Sequence, residues 1–342
     1  AGATDLGVNL SRGQTVAPAF IALDRIAELQ GIDIGEDAVR IGAGVSLSRI
    51  EHELAGQFPL LDDMLPWFAA KQIKNRATFG GSLGSASPIG DLAPILLALG
   101  GGVHLAGPNG LRDLPIDGYF LDYRKTQRHP DELIVAVTLP KPGDLVTASY
   151  KIAKRQTDDI SIVAASYAIR LDSERRVQHV RLAYGGIAAI PKRAVNTEAL
   201  LLGQVLGDAL VERARAALIE EFTPLSDHRA DAERRDERHG SVVRARRVAA
   251  VEFFDLILRE IAHAHLARRR HRTGHRRQLR REQARQCRLA VAVGDASHVG
   301  AVGAHDVLLV AGAPIARGLE GDPLPVATEV RLSVLAAVGE LT

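Results

Sequence analysis

Lys71 to Asp91 reads KQIKNRATFGGSLGSASPIGD and sets Gly80, Gly81 and Gly84 among the hydroxyls of Thr78, Ser82, Ser85 and Ser87. Adjacent glycines let a backbone come close to a ligand and present its N–H groups. The interleaved hydroxyls add donors and acceptors suited to phosphate and sugar oxygens. No metal-ligand spacing, no Ser-His-Asp arrangement and no Walker lysine accompany them. The chemistry expected of this stretch is the holding of a large phosphorylated cofactor. Gly42-Ala43-Gly44 lacks the third glycine of a dinucleotide fingerprint and reads as an ordinary strand exit.

The elements that must position this stretch alternate. Ala38-Val39-Arg40-Ile41-Gly42 predicts a strand, and Ser46 then caps a helix through Ile50 and Leu54. Asp62 or Asp63 begins a second helix carrying Met64, Leu65, Trp67 and Phe68, and Asp91 is placed to cap a helix over Leu92 to Leu99. Leu133 to Leu139 is a strand stopped by Pro140 and Pro142. This alternation suggests an α/β arrangement for the first part. After Lys141-Pro142-Gly143-Asp144 come three longer strands, Thr147 to Ala153, Ile160 to Leu171 and Val177 to Tyr184, then helices near Thr197 to Leu202 and Asp208 to Glu221. Strands followed by helices describe an α+β unit.

The remainder changes character. Lysine ends at Lys192, asparagine at Asn196 and tyrosine at Tyr184, while Arg268-Arg269-Arg270-His271-Arg272 and Arg276-Arg277 crowd a region without apolar periodicity. Such composition is what a GC-rich coding sequence yields in a wrong reading frame, and a basic tail is the alternative. Clustered arginines would attract nucleic-acid phosphates. No aromatic residue follows Phe254 to stack on bases, however, so nucleic acid is not an expected partner. His263, His265, His271 and His275 are irregularly spaced without carboxylate or thiolate partners, and no metal is assigned to them.

The composition bounds the rest. With 342 residues, 46% hydrophobic and 25% charged, the chain has room for two or three ordinary globular cores. Its net charge of +2 averages two unlike halves. A single cysteine, Cys287, excludes both an internal disulfide and a four-cysteine iron–sulfur site within the chain. No apolar run reaches membrane-spanning length and no signal pattern opens the chain, so a cytoplasmic location is the default expectation.

Ala77-Thr78-Phe79-Gly80-Gly81-Ser82, with Ala86-Ser87-Pro88-Ile89-Gly90-Asp91 after it, resembles the flavin-binding segment of xanthine dehydrogenases, which are molybdenum hydroxylases. Ala1-Gly2-Ala3-Thr4-Asp5-Leu6-Gly7 is similar to that family's first pyrophosphate loop. Tyr123-Arg124-Lys125-Thr126, Tyr150-Lys151-Ile152-Ala153-Lys154-Arg155 and Asp158-Asp159-Ile160 are similar to later landmarks, so the likeness covers roughly residues 1 to 235. It implies an α+β fold: an FAD-binding domain of PCMH (vanillyl-alcohol-oxidase) type over 1–142, lacking its first part, and a small α+β domain over 146–235 like the C-terminal domain of carbon monoxide dehydrogenase flavoproteins. An irregular Arg/His-rich tail over 236–342 would follow.

Carried onto this sequence residue by residue, the resemblance assigns FAD contacts to Gly2, Ala3, Thr4, Asp5, Leu6, Phe68, Thr78, Phe79, Gly80, Gly81, Ser82, Asp91, Ile134 and Lys151. Ser82 stands where the family usually has asparagine. Phe68 and Ile134 would pack by the flavin ring, unless they are simply core. Asp91 would bond cofactor hydroxyls as well as cap its helix, and Lys151 would lie near the flavin or face water at a strand edge. Tyr123 and the Gln156 to Ile160 loop correspond to the nicotinamide side. Asp158-Asp159 and Ala86-Ser87-Pro88 favour the xanthine dehydrogenases over carbon monoxide dehydrogenases and related flavin subunits, and the Tyr150 to Ile160 likeness argues against a cell-wall precursor reductase.

The implied activity passes electrons from 2Fe-2S clusters through FAD to NAD. The molybdenum cofactor would sit on a large partner subunit and the clusters on an iron–sulfur domain or subunit. No catalytic acid or base is required of this chain, and alone it would not oxidise a purine.

Overall fold

The computed structural model describes residues 1–15, 19–153, 155 and 158–222, together with the backbone of 308–311. Two five-stranded antiparallel sheets carry the architecture. The first contains β1 (Ile32–Ile34), β2 (Ala38–Gly42), β3 (Gly102–Gly107), β4 (Gly110–Pro115) and, later in the chain, β7 (Leu133–Pro140), in the order β1-β2-β7-β3-β4. β5 (Phe120–Asp122) and β6 (Lys125–Thr126) form a separate hairpin. Strand alternation sets the register: Val39 and Ile41 are buried, Arg40 is exposed, and these two apolar residues face Leu139 and Val137 of β7.

The α/β arrangement suggested by alternating strands and helices is corrected here, because every strand pairing among the described residues of this sheet is antiparallel. The helices between β2 and β3 follow one another without an intervening strand, so they do not connect parallel neighbours. They are α2 (Leu47–Glu53), α3 (Pro59–Met64), α4 (Lys71–Lys74), α5 (Phe79–Ser85) and α6 (Leu92–Leu99), preceded in the chain by α1 (Thr4–Ser11). Ser46 caps α2, accepting the Arg49 N–H at 3.3 Å. The helix expected to begin at Asp62 or Asp63 begins instead at Pro59. Proline suits a first turn whose N–H would be unsatisfied, and Asp62 turns its carboxylate to the Gly56 N–H.

The second sheet holds β8 (Val146–Ala153), β9 (Val163–Leu171), β10 (Val177–Gly185), β11 (Lys192–Arg193) and β12 (Leu308–Ala311), in the order β11-β10-β9-β8-β12. Within the stretch read as an irregular tail, Leu308–Ala311 thus forms a strand against β8. The rest of that tail, with Cys287 and its arginine and histidine clusters, lies outside the described residues. On one face of this sheet Tyr150, Tyr167 and Tyr184 form a core with α7 (Val195–Leu201) and α8 (Asp208–Glu221). The Tyr167 hydroxyl donates to that of Tyr184 at 3.0 Å. The other face offers Ala164, Ala168 and Ala183, whose small side chains let the wholly buried helix α6 lie close, so one core joins the two sheets.

The junction is also tied by polar bonds. Arg181 Nε donates to the Leu97 carbonyl at 2.7 Å, and Arg181 and Arg193 both pair with Asp117, at 2.7 and 3.2 Å. Burial opposes ionisation of Asp117, but the two guanidiniums outweigh it and hold its carboxyl below the ordinary value.

Candidate functional site

The first glycine segment is shorter than expected. Gly2 and Ala3 take left-handed backbone, with φ of 72° and 59°, and helix α1 then starts at Thr4. Thr4, Asp5 and Leu6 therefore occupy a first helical turn rather than a loop. A side chain on Gly2 would stand 2.5 Å from the Arg76 carbonyl oxygen, so glycine there lets this segment lie against the backbone that enters the second segment.

The second segment, expected as a loop, is largely the helix α5. Three local choices explain it. Thr78 is an N-cap whose Oγ1 accepts the Gly81 N–H at 2.9 Å. Phe79 and Leu83, four residues apart, are fully buried on one face. Gly80 presses on Ala43, where an added Cβ would lie 2.6 Å from the alanine methyl. Gly81 sits beside the first segment, its Cβ position 3.4 Å from the Ala1 carbonyl oxygen. The glycines bring the two backbones together, and Ser82 lies half-buried on the same helix.

Between these segments and β7 lies a cavity of about 260 Å³. Gly80 and Gly84 of α5, Ala43 after β2, and Leu133 and Ile134 of β7 form much of its wall. Ala1, Leu23, Leu29, Arg128 and Glu132 complete it. Of the expected cofactor residues, Gly80 and Ile134 line it directly. A larger groove of about 670 Å³ lies elsewhere, between α2 and the Pro66 to Lys74 stretch. Its buried lysine, Lys74, is engaged by Glu51 and by the Leu65 carbonyl.

Asp91 and Lys151 meet in a second cluster. The Asp91 side chain makes no bond to the start of α6, so the expected cap is not formed. Its Oδ2 accepts from Lys151 Nζ at 2.9 Å, and its Oδ1 accepts from the Ser161 hydroxyl. The alternative for Lys151, a strand-edge lysine facing water, does not hold. The residue is 3% exposed, and its ammonium donates further to the carbonyls of Trp67, at 3.1 Å, and Asp159, at 2.9 Å. β9 starts at Val163 rather than Ile160. Phe68 follows the 3-10 turn Leu65–Trp67 and packs half-buried on the first core.

The residues read as the nicotinamide side are more open. Tyr123 is half-exposed at the tip of the β5–β6 hairpin, with the Arg124 guanidinium 5.8 Å from its ring centroid. Asp158 accepts the Ala70 N–H at 3.0 Å. Asp159 accepts the N–H groups of Arg155 and Ile160. Burial opposes its ionisation, but these bonds and the nearby Arg155 and Lys151 charges keep its carboxyl low. Lys154, Gln156 and Thr157 lie outside the described residues.

Sequence reasoning missed Arg128, Glu132, Leu23 and Leu29 at the cavity, and Ser161 at the buried pair. None carries a local pattern, since each reaches its place through strand register or a chain crossing. Among the described residues no cluster of histidine, cysteine and carboxylate could hold a metal ion, and no helix is long and apolar enough to cross a membrane.

Comparison with known proteins gives two family matches: the FAD binding domain in molybdopterin dehydrogenase over residues 1–142, and the carbon monoxide dehydrogenase flavoprotein C-terminal domain over 148–246. The chain is 31% identical over 238 residues to xanthine dehydrogenase of Oryza sativa subsp. japonica, an alignment taking in 64% of this chain and 17% of that protein. To nicotinate hydroxylase of Emericella nidulans it is 34% identical over 244 residues, 65% of this chain and 18% of the other. It therefore spans less than a fifth of these curated relatives. A chain of the carbon monoxide dehydrogenase of Hydrogenophaga pseudoflava superposes with a TM-score of 0.63 at 30% identity, covering 73% of this chain and 88% of that one.

Proposed function

The chain belongs to the FAD-binding family of molybdopterin dehydrogenases, and from that premise we propose that it is the flavin-bearing electron-transfer part of a xanthine dehydrogenase-like molybdenum hydroxylase. The observation that carries this reading is the close approach of the two glycine segments beside a cavity that Ala1, Gly80 and Gly84 help to line. Leu23, Leu29, Leu133 and Ile134 give it apolar walls suited to a flat ring, and Arg128 gives it a cation suited to an anionic tail. A cavity of about 260 Å³ holds a portion of a dinucleotide as large as FAD, leaving the remainder along the segments that border it.

The proposed contacts are those of Gly2, Ala3, Thr4, Asp5 and Leu6 on one side and Thr78, Phe79, Gly80, Gly81 and Ser82 on the other. Ile134 and Phe68 pack by the ring, and the buried Asp91 and Lys151 fix its polar edge. FAD, when bound, supplies the relay between iron–sulfur clusters and NAD. This chain's residues bind and orient it and keep water from the ring. The partners in this reading are a molybdenum-cofactor subunit and an iron–sulfur domain, the oxidised substrate is a purine, and the setting is the cytoplasm. Units spanning 1–142 and 146–235 divide the work between cofactor binding and support.

The flavin subunit of a carbon monoxide dehydrogenase is the second reading. It is favoured by the 88% coverage of such a chain at 30% identity.

The first test is FAD titration of the purified chain beside Gly81→Asp. An aspartate there puts a carboxylate next to the Thr78 hydroxyl and the Ala1 carbonyl, where a pyrophosphate would lie, so flavin content should fall sharply. Unchanged flavin content would remove the segment assignment.

A further inference from the structure

Arg128 stands on the cavity wall, on the stretch between the β5–β6 hairpin and β7. Its Nη1 donates to two backbone carbonyls, those of His129 at 2.9 Å and Glu132 at 2.7 Å. Two carbonyls fix the plane of the guanidinium but leave its charge in place. Glu132, which lines the same cavity four residues on, does not neutralise it. Glu132 accepts from Arg112 Nε at 2.9 Å and Nη2 at 2.7 Å, and from the His129 N–H at 2.7 Å. Its acid group serves Arg112, while only its backbone oxygen serves Arg128. Arg128 enters no ion pair among the described residues, and its Nε and Nη2 donate no hydrogen bond to them.

A planar cation held by neutral groups, with donors to spare and set on a largely apolar wall, is preorganised for an anion. Resting on the flavin reading above, we propose that Arg128 binds the pyrophosphate of the dinucleotide cofactor. The pyrophosphate carries charge in every oxidation state of FAD, whereas the oxidised ring is neutral. Because the carbonyl clamp is already formed, little side-chain freedom is lost on binding.

The experiment titrates the full chain and its Arg128→Leu, Arg128→Gln and Arg128→Lys variants with FAD and, separately, with riboflavin, which has no phosphate. Loss of a charge-assisted pair should weaken FAD roughly ten- to a hundredfold in Arg128→Leu and Arg128→Gln. Riboflavin affinity should stay unchanged, and any fall in the melting temperature of the cofactor-free protein reports the two carbonyl bonds lost with the guanidinium. Arg128→Lys keeps the charge but not the clamp and should fall between. Added salt should weaken FAD binding to the parent chain more than to Arg128→Gln. If Arg128→Leu destabilises the fold, Arg128→Gln carries the comparison. Equal FAD affinity in parent and variants overturns the proposal and leaves the flavin reading standing, as does an equal loss for FAD and riboflavin. A parent chain that binds no FAD overturns both.

Discussion

Asp91→Ala removes the carboxylate that partners Lys151 and leaves an ammonium buried between two carbonyls. The pair is 2.9 Å apart, with side-chain exposures of 4% and 8%. At an effective dielectric of about 20, two unit charges at that separation attract by roughly 6 kcal/mol. Much of this only offsets the cost of taking both ions out of water, so the intact pair adds little net stability. Removing one partner is different, because the remaining charge keeps its desolvation cost. A loss of about 3–5 kcal/mol is expected. For a folded part of this size, that corresponds to a fall in melting temperature of roughly 6–20 °C, read by circular dichroism. The double variant Asp91→Asn with Lys151→Met removes both charges and should recover most of the loss. If Asp91→Ala costs less than about 1 kcal/mol, Lys151 is not held by a buried counter-ion and the argument for this cluster fails.

Gly80→Ala sets helix propensity against packing. In an open helix the change stabilises by about 0.5–1 kcal/mol, but here the new methyl meets the Ala43 methyl at 2.6 Å and its carbonyl oxygen at 2.7 Å. Overpacking should win, with a net loss of roughly 1–3 kcal/mol in urea unfolding, and a stabilised variant would refute the contact. Glu132 predicts a pH effect. The hydrogen bond from Arg112 is the largest cause lowering its carboxyl from 4.5 to about 2. A depressed carboxyl contributes stability that is present above 4.5 and lost as pH falls toward 2. Glu132→Gln should therefore show a flatter decline in stability over that window than the parent, and parallel curves would count against the Arg112 bond.

Local pattern was enough for several of the described elements. The alternation in Ala38–Gly42, the cap at Ser46 and the spacing of Asp208–Glu221 are short-range signals, and all three elements form where the residues predict them. The glycine motif likewise announced close backbone approach. What the motif could not show is which surface does the approaching. Gly2 is required by the Arg76 carbonyl and Gly80 by Ala43, contacts that exist only once segments distant in the chain have been folded together. The same limit governed charge. Lys151 and Asp91 are 60 residues apart, and nothing local distinguishes either from a solvated surface ion. Burial by α6 and β8 makes them a pair, and an isolated charge there would be too costly to keep. Arg128 and Glu132 show the reverse case. Four residues apart and opposite in charge, they suggest a local ion pair, yet the strand register gives the Glu132 carboxylate to Arg112 and leaves the Arg128 guanidinium facing the cavity. Periodicity and caps act over a turn or a strand, within the reach of a sequence window. Which charges meet depends on how distant segments are folded together, and that was settled by the tertiary structure alone.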